Sequence, residues 1–156
     1  MSDISTDGTN LHVAVITSRF NEEVTQKLEE GAIATLIQHG VAPANITQFS
    51  VPGAFEVPQL AQRLAVSGQY HGIVCLGAVI QGETAHFDYV CQEVSRGIQF
   101  VGMTTGVPVG FGILTTETKE LALARAGGKK GNKGDDAALT VLEMCNLVQA
   151  IPLPGQ

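Results

Sequence analysis

Hydrophobic residues along this chain fall into two patterns, continuous runs and helically spaced stripes. The continuous runs are His12–Thr17, Ile46–Val51, Gly72–Ile80 and Val107–Leu114. Runs of this length are typical of parallel strands that are covered on both faces of a sheet. The pattern therefore predicts four strands in a parallel sheet.

Apolar residues between and after these runs recur every three or four positions, which is the spacing of an amphipathic helix. Four long stripes begin at Val24, Val57, Phe87 and Ala138. A shorter helix is predicted from near Thr116 to the pair Gly127-Gly128, and Gly40 and Gly68 end the first two helices. The chain thus carries five predicted helices.

The predicted elements follow the order β-α-β-α-β-α-β-α-α. Alternation of this kind indicates helices on both faces of a parallel sheet, joined by right-handed crossovers. We therefore predict an α/β fold, a flavodoxin-like three-layer α/β/α sandwich with a four-stranded parallel sheet. Residues 1–10 are polar and are predicted to be a flexible N-terminal arm. Residues 11–156 are predicted to form a single domain, because they contain no internal repeat and no linker.

Composition narrows the class of protein. The chain is 44% hydrophobic and 15% charged, which fits a folded domain rather than a disordered segment. No apolar stretch reaches the length of a membrane span, and the polar start does not resemble a signal peptide. A formal net charge of −6 argues against general binding to nucleic acid or to anionic membranes.

The cysteines and histidines predict neither a disulfide framework nor a metal site. The cysteines Cys75, Cys91 and Cys145 lie inside apolar patterns and form no CxxC pair, so we expect buried thiols in a reducing, cytoplasmic compartment. The histidines are scattered along the chain, whereas a structural zinc site needs closely spaced ligands. No metal site is therefore predicted.

A basic segment stands out on this acidic chain. Four of its nine basic residues fall within nine positions, and they are Arg125, Lys129, Lys130 and Lys133. This segment either binds a small anion or is a solvated loop whose lysines provide solubility. It lacks the spacing of a nucleotide phosphate loop and follows a predicted helix instead of a strand, which disfavours a nucleotide triphosphatase. Arg125 can bind phosphate bidentately or stabilise a helix C-terminus.

Candidate binding residues follow the predicted strands at their carboxyl ends, where open α/β sheets bind ligands. Phe20 and Asn21 follow the first strand, Phe55 and Glu56 follow the second, and Gly82–His86 follows the third. These ends meet at one edge of the sheet, so a pocket is predicted there. The phenyl rings either stack on a planar heterocycle or belong to the core. Glu56 either accepts hydrogen bonds from a ligand or serves the start of a helix.

The segment Gly82-Glu83-Thr84 precedes a predicted helix. Backbone N–H groups and the dipole at a helix start favour an anion such as phosphate, and glycine permits close approach. Thr84 can equally cap the helix without any ligand. His86 lies in the first turn, where its imidazole either transfers protons or is an ordinary exposed side chain. The residues alone leave these alternatives open.

Five blocks of the sequence together resemble the lumazine synthase family. The blocks are Arg19–Asn21, Val51–Glu56, Gly77–Val90, Pro108–Thr115 and Arg125–Gly134. They occur in the family's order and spacing, and the resemblance covers about residues 11–150. It implies condensation of 5-amino-6-(D-ribitylamino)uracil with 3,4-dihydroxy-2-butanone 4-phosphate. The product would be 6,7-dimethyl-8-ribityllumazine, the penultimate intermediate of riboflavin synthesis, and no metal or organic cofactor would be needed.

The resemblance also implies roles for the matched residues in binding the uracil substrate. Phe20 stacks on the pyrimidine, Asn21 is a further binding residue, and His86 is the catalytic proton donor and acceptor. The residues implied to bind the ribityl chain and the ring edge are Ala54, Phe55, Glu56, Ala78, Val79 and Ile80.

Other matched residues are implied to bind the phosphate or to be contributed by a neighbouring subunit. Glu83 and Thr84 hold the phosphate at the helix start, and Lys133 adds positive charge near it. Phe111 and the catalytic Arg125 are contributed by a neighbouring subunit. The family forms homopentamers and, in many members, sixty-subunit shells that can enclose riboflavin synthase. Its N-terminal segment adds a strand to a neighbour's sheet, although residues 1–10 are polar here.

The sequence departs from the residues common in the family at Gln81, Gly128 and Lys130. The last two add flexibility and charge to the basic segment. Three alternative functions remain. A flavodoxin-type electron carrier is disfavoured, because the segment after the first strand is not rich in hydroxyl groups. A riboflavin synthase of archaeal type shares the fold, and a non-catalytic shell or ligand-binding protein is the third alternative.

Overall fold

A computed structural model describes residues 4–155. The four strands of its main sheet are β1 (Val13–Ser18), β2 (Ile46–Val51), β3 (Gly72–Ile80) and β4 (Val109–Thr116). The five helices are α1 (Glu22–Gln38), α2 (Val57–Val66), α3 (His86–Thr105), α4 (Lys119–Ala124) and α5 (Lys133–Ala150). Short 3-10 turns at Pro43–Asn45 and Ala54–Glu56 precede β2 and α2.

The main sheet is parallel and has the strand order β2-β1-β3-β4. Every residue of the central strand β1 is buried, as its continuous apolar run predicts. The outer strands β2 and β4 each have a free edge within the chain. The predicted four-stranded parallel sheet is thus confirmed. The outer edge of β4 pairs with no other strand of this sheet.

Helices cover both faces of the sheet and enclose two separate cores. Val13 and Val15 of β1 point into a core that α1 and α5 complete, where Leu28 and Leu142 are fully buried. Ala14, Ile16 and other side chains of the opposite face pack against α2 and α3. Burying each large aliphatic side chain contributes about 1.5–3 kcal/mol. The predicted three-layer α/β/α sandwich is confirmed.

Two glycines of β4 allow α5 to pack directly on the sheet. A Cβ atom on Gly110 would lie 2.6 Å from the carbonyl oxygen of Ala137, and one on Gly112 would lie 2.9 Å from the carbonyl oxygen of Cys75 and 3.2 Å from Cβ of Ala137. Contacts this short are not tolerated between non-bonded atoms, so both positions need glycine. The close packing brings the start of α5, with Lys133, to the edge strand β4.

Three details differ from the sequence-based expectation. Strand β4 starts at Val109 rather than Val107, because Pro108 has no N–H to donate and contributes only its carbonyl to Ile73. Helix α4 starts at Lys119 rather than near Thr116, and the Thr118 hydroxyl caps it by accepting from the N–H of Leu121. A short antiparallel hairpin of β5 (Ala126–Gly128) and β6 (Gly131–Asn132) was not predicted.

The N-terminal segment contacts its own subunit. The N–H of Gly8 donates to the carbonyl oxygen of His39 over 2.8 Å, and the Asn146 side chain donates to the carbonyl of Asp7 over 3.0 Å. The first three residues of the predicted arm, and the last residue of the predicted domain, lie outside the described residues. The arm's flexibility and its addition to a neighbour's sheet stay predictions. None of the helices within residues 4–155 is long and apolar enough to cross a membrane.

Candidate active site

A cavity of about 860 Å³ lies where β1, β2 and β3 end and α3 begins. We call it cavity A. It contains nine of the predicted site residues, namely Phe20, Ala54, Phe55, Glu56, Ala78, Val79, Ile80, Thr84 and His86. Its position at the carboxyl ends of parallel strands agrees with the pocket expected from topology.

The two predicted phenylalanines of cavity A, Phe20 and Phe55, are exposed to it rather than packed in a core. Phe20 is 71% exposed and Phe55 is 58% exposed. Phe20 is held by its backbone, since its N–H donates to the carbonyl oxygen of Pro52 over 3.0 Å. Exposed rings of this size contribute little to folding, so they are available to stack on a planar ligand.

Asn21 does not line cavity A, in contrast to its neighbour Phe20. Its backbone adopts the left-handed conformation with φ of 65°, and its side-chain amide donates to the carbonyl oxygen of Ala78 over 3.0 Å. That hydrogen bond ties the turn after β1 to the end of β3. The predicted contact between Asn21 and substrate stays a prediction.

The segment before α3 and the first residue of that helix place Thr84 and His86 in cavity A but not Glu83. The Thr84 hydroxyl accepts from the backbone N–H of His86 over 3.3 Å, so it partly satisfies the helix start. A Cβ atom on Gly82 would meet nothing within 4 Å, so packing within the subunit does not require a glycine there. The imidazole of His86 is exposed beside the two aromatic rings.

Cavity A also contains residues that the sequence reasoning did not single out. Tyr89 and Glu93 line it from α3, together with Phe87 and Val90 of the same helix and with Pro52 and Gly53 after β2. Tyr89 and Glu93 lie three and seven positions after His86, which places all three on one face of the helix. This spacing was the available signal for them.

A second cavity of about 600 Å³, cavity B, lies at the free edge of β4. It contains the remaining aromatic and basic residues that were predicted, Phe111, Arg125 and Lys133. Phe111 is 40% exposed, so its ring lies partly outside the core. The other lining residues come from the end of β4 and from α4, and they include the carboxylate of Glu117.

The two cations of cavity B have no ion-pair partner within the described chain. The single side-chain ion pair among residues 4–155 joins Lys119 to Glu23. The Arg125 guanidinium contacts the carbonyl oxygen of Leu121 at 3.4 Å, and the backbone N–H of Lys133 donates to the carbonyl oxygen of Arg125 over 2.8 Å. Arg125 and Lys133 therefore keep positive charge that a phosphate can neutralise.

A comparison with protein families identifies the family of the chain. A family model described as 6,7-dimethyl-8-ribityllumazine synthase matches residues 10–149. The chain belongs to the 6,7-dimethyl-8-ribityllumazine synthase family. The match confirms the resemblance carried by the five sequence blocks, and it spans every predicted site residue from Phe20 to Lys133.

Membership in the lumazine synthase family gives the general class of the protein. It is a transferase-type enzyme of riboflavin biosynthesis that binds small-molecule substrates and assembles as an oligomer. Among residues 4–155, no group of three or more histidine, cysteine, aspartate or glutamate side chains is arranged to hold a metal ion.

Cavities A and B are neighbours in the lumazine synthase fold, yet no described residue lines both. Val79 and Ile80 of cavity A pair with Thr115 and Thr116 of cavity B across strands β3 and β4. Phe20, Phe55 and His86 thus lie on one side of this strand pair, and Phe111 lies with the two cations on the other. Either one chain supplies both halves of a site, or cavity B completes cavity A of a second chain.

Proposed function

We propose that the chain condenses 5-amino-6-(D-ribitylamino)uracil with 3,4-dihydroxy-2-butanone 4-phosphate to form 6,7-dimethyl-8-ribityllumazine, phosphate and water. The observation that carries the proposal is cavity A, where the exposed rings of Phe20 and Phe55 lie with the imidazole of His86. Family membership supports the same reaction. No metal or organic cofactor takes part in the proposed reaction.

The uracil substrate binds in cavity A. Phe20 stacks on the pyrimidine ring, because an exposed aromatic face packs favourably against a planar heterocycle. The Glu56 carboxylate accepts hydrogen bonds from ribityl hydroxyls or ring N–H groups. Backbone groups of Ala54 and Phe55 and of the segment 78–80 bind the remaining polar edge. Asn21 supports this surface from behind through its bond to Ala78.

The butanone phosphate binds with its phosphate between the start of α3 and the cations of cavity B. Thr84 and the backbone N–H of Glu83 bind the phosphate from the side of α3. Arg125 binds it with a planar fork of donors, and Lys133 adds a second charge. We place Arg125, Lys133 and Phe111 on the neighbouring subunit, since they lie at the free edge of β4.

The chemistry follows from positioning two reactive substrates. The ring amine attacks the ketone carbon, and loss of water gives an imine. Phosphate then leaves, the product tautomerises, and attack by the ribitylamino nitrogen closes the ring with loss of water. His86 accepts and donates the protons in these steps. Holding the amine and ketone together supplies much of the rate enhancement, and Arg125 stabilises the departing phosphate.

The test is to mix the purified protein with both substrates and to follow lumazine absorbance and phosphate release together. Matched formation of both, well above a reaction without protein, is expected. Arg125→Ala should lower the rate strongly. Lys130→Ala is the matched control, because it removes the same charge from the same segment at a residue that does not line cavity B.

Other outcomes separate the alternatives. A rate equal to the reaction without protein would refute the proposal and leave a ligand-binding or shell protein. Riboflavin formed from lumazine alone would identify a riboflavin synthase of archaeal type. Equal losses in Arg125→Ala and Lys130→Ala would refute the placement of the phosphate while leaving the condensation intact. We further propose a homopentamer or sixty-subunit shell, with riboflavin synthase as a candidate partner, which the mass of the native assembly tests.

A further inference from the structure

We infer that Asn132 is a positioning residue that holds the two cations of cavity B in place. This inference rests on the proposed function, in which those cations bind the substrate phosphate. Asn132 does not line cavity B, so it acts through Arg125 and Lys133. Both polar atoms of its side-chain amide form hydrogen bonds. Oδ1 accepts from the N–H of Gly134 over 2.7 Å, and Nδ2 donates to the carbonyl oxygen of Lys27 over 3.1 Å.

These two hydrogen bonds join separate parts of the fold. The bond to Gly134 caps the start of α5, and the bond to Lys27 fastens that start to α1. Asn132 is therefore a bridge between the hairpin β5-β6, of which it is the last residue, and the helix that lies beneath it. Losing the second bond leaves the cap intact but removes the hydrogen bond that fastens the end of the hairpin to α1.

The cations are attached directly to this bridge. Lys133 is the next residue in the chain, and its backbone N–H donates to the carbonyl oxygen of Arg125 over 2.8 Å. The N–H of Lys130 donates to the carbonyl oxygen of Ala124, which ties the turn of the hairpin to the end of α4. A displacement of Asn132 is thus passed to Lys133 through a peptide bond and to Arg125 through a hydrogen bond.

The packing around Asn132 leaves it little freedom. A Cβ atom on Gly31 would lie 2.5 Å from Nδ2 of Asn132 and 2.3 Å from Oδ1 of Asp135. A Cβ atom on Gly134 would lie 2.1 Å from the carbonyl oxygen of Leu28. The amide therefore lies closely packed between Gly31 of α1 and the start of α5, beside the carboxylate of Asp135, and this helps to fix the position of the hairpin relative to both helices.

The variant Asn132→Ser tests the inference. Serine is neutral and keeps a capping oxygen, but its side chain is too short to reach Lys27. We expect the KM for butanone phosphate and the inhibition constant of inorganic phosphate to rise about five- to tenfold, the loss that follows from one positioned hydrogen bond. The KM for the uracil substrate, which binds in cavity A, should change less than about twofold.

Asn146→Ser is the matched control. Asn146 also uses its amide to bridge α5 to another segment, through the carbonyl of Asp7, but at the far end of the helix. It should lower the unfolding midpoint about as much as Asn132→Ser and leave both KM values unchanged. If Asn132→Ser raises both KM values equally, or neither, the inference is overturned and the residue is only structural.

Binding of inorganic phosphate, measured by calorimetry without turnover, separates this inference from the proposed function. If Arg125→Ala weakens phosphate binding and Asn132→Ser does not, only the inference fails. If phosphate binding is absent, or is unaffected by Arg125→Ala, the phosphate site itself fails and the inference falls with it. Weakened binding in both variants, with Asn146→Ser unchanged, supports the inference.

Discussion

Two variants that are each strongly impaired should restore activity when they share one assembly. Phe20→Ala removes a ring from cavity A, and Arg125→Ala removes a cation from cavity B. Cavity A and cavity B share no lining residue, and cavity B lies at a free strand edge. If each active site combines cavity A of one chain with cavity B of the next, a mixed assembly contains some sites with both halves intact.

The expected recovery follows from counting the sites. In a random equal mixture, cavity A is intact with a chance of one half and cavity B of the next chain with a chance of one half. About one quarter of the sites are therefore intact in a head-to-tail ring. Loss of one stacked ring costs about 1–3 kcal/mol, and loss of one charged hydrogen bond costs about 1.5–3 kcal/mol. Each variant alone should thus retain between roughly a fifth and roughly a hundredth of the activity.

The assay uses co-expression of the two variants with different affinity tags and purification through both tags. Lumazine formation per chain is then compared with wild-type protein. The control is a mixture of Phe20→Ala with Glu56→Ala, because both changes lie in cavity A and no site can regain an intact cavity A. Recovery of about a quarter in the test mixture alone is expected. Recovery no greater than the control would show that both cavities act within one chain.

Three further predictions concern the subunit itself. Gly77→Ala should cost about 1–3 kcal/mol of stability, because its Cβ atom would lie 2.9 Å from Oγ of Ser18 and 3.1 Å from Cδ1 of Ile113. Gly82→Ala is the control, because a Cβ atom there meets nothing within 4 Å. Equal unfolding midpoints for the two variants would contradict this account of the packing. Burial raises the pKa of Cys75 and of Cys145 to about 12. A thiol reagent at mildly alkaline pH should therefore leave both cysteines unlabelled until denaturant is added. Peptide mapping that finds either one labelled in the native protein would contradict this prediction. Burial first, and then the charge of Asp136, raise the pKa of Asp135 against the opposing hydroxyl of Thr35. Asp135→Asn should therefore raise the free energy of unfolding at neutral pH, and the gain should shrink as pH falls through the raised pKa toward 3.8; a gain that does not depend on pH would argue against this cause.

The main sheet could be predicted from the sequence because its strands are buried on both faces. The first apolar run, His12–Thr17, differs from the observed Val13–Ser18 by one residue at each end. The hairpin β5-β6 could not be predicted, because its strands have only three and two residues. Its geometry depends on Gly127 and Gly131 with positive φ. Such turns are set by backbone conformation and tertiary hydrogen bonds rather than by hydrophobic alternation.

The site was partly predictable because topology brings strand ends together. Which side chains face the cavity was harder to predict, as Asn21 and Tyr89 illustrate. The amide of Asn21 finds an internal acceptor 57 residues away in the sequence, and no local pattern indicates that partner. Tyr89 and Glu93 could have been found from their helical spacing to His86. The roles of all these residues in binding and catalysis stay proposals.

The arrangement of charge at the edge of β4 supports the proposal that a second chain lies there. The chain has a net charge of −6, yet Arg125 and Lys133 lie together without a carboxylate at ion-pair distance within residues 4–155. Gly110 and Gly112 let α5 pack on β4, and this packing brings Lys133 to the edge strand. Glu117 lines the same cavity but forms no ion pair with either cation within residues 4–155, so both cations can bind an anion such as phosphate. The partly exposed ring of Phe111 lies in the same cavity. A neighbouring subunit that covers this ring would therefore place its own bound phosphate next to the two cations.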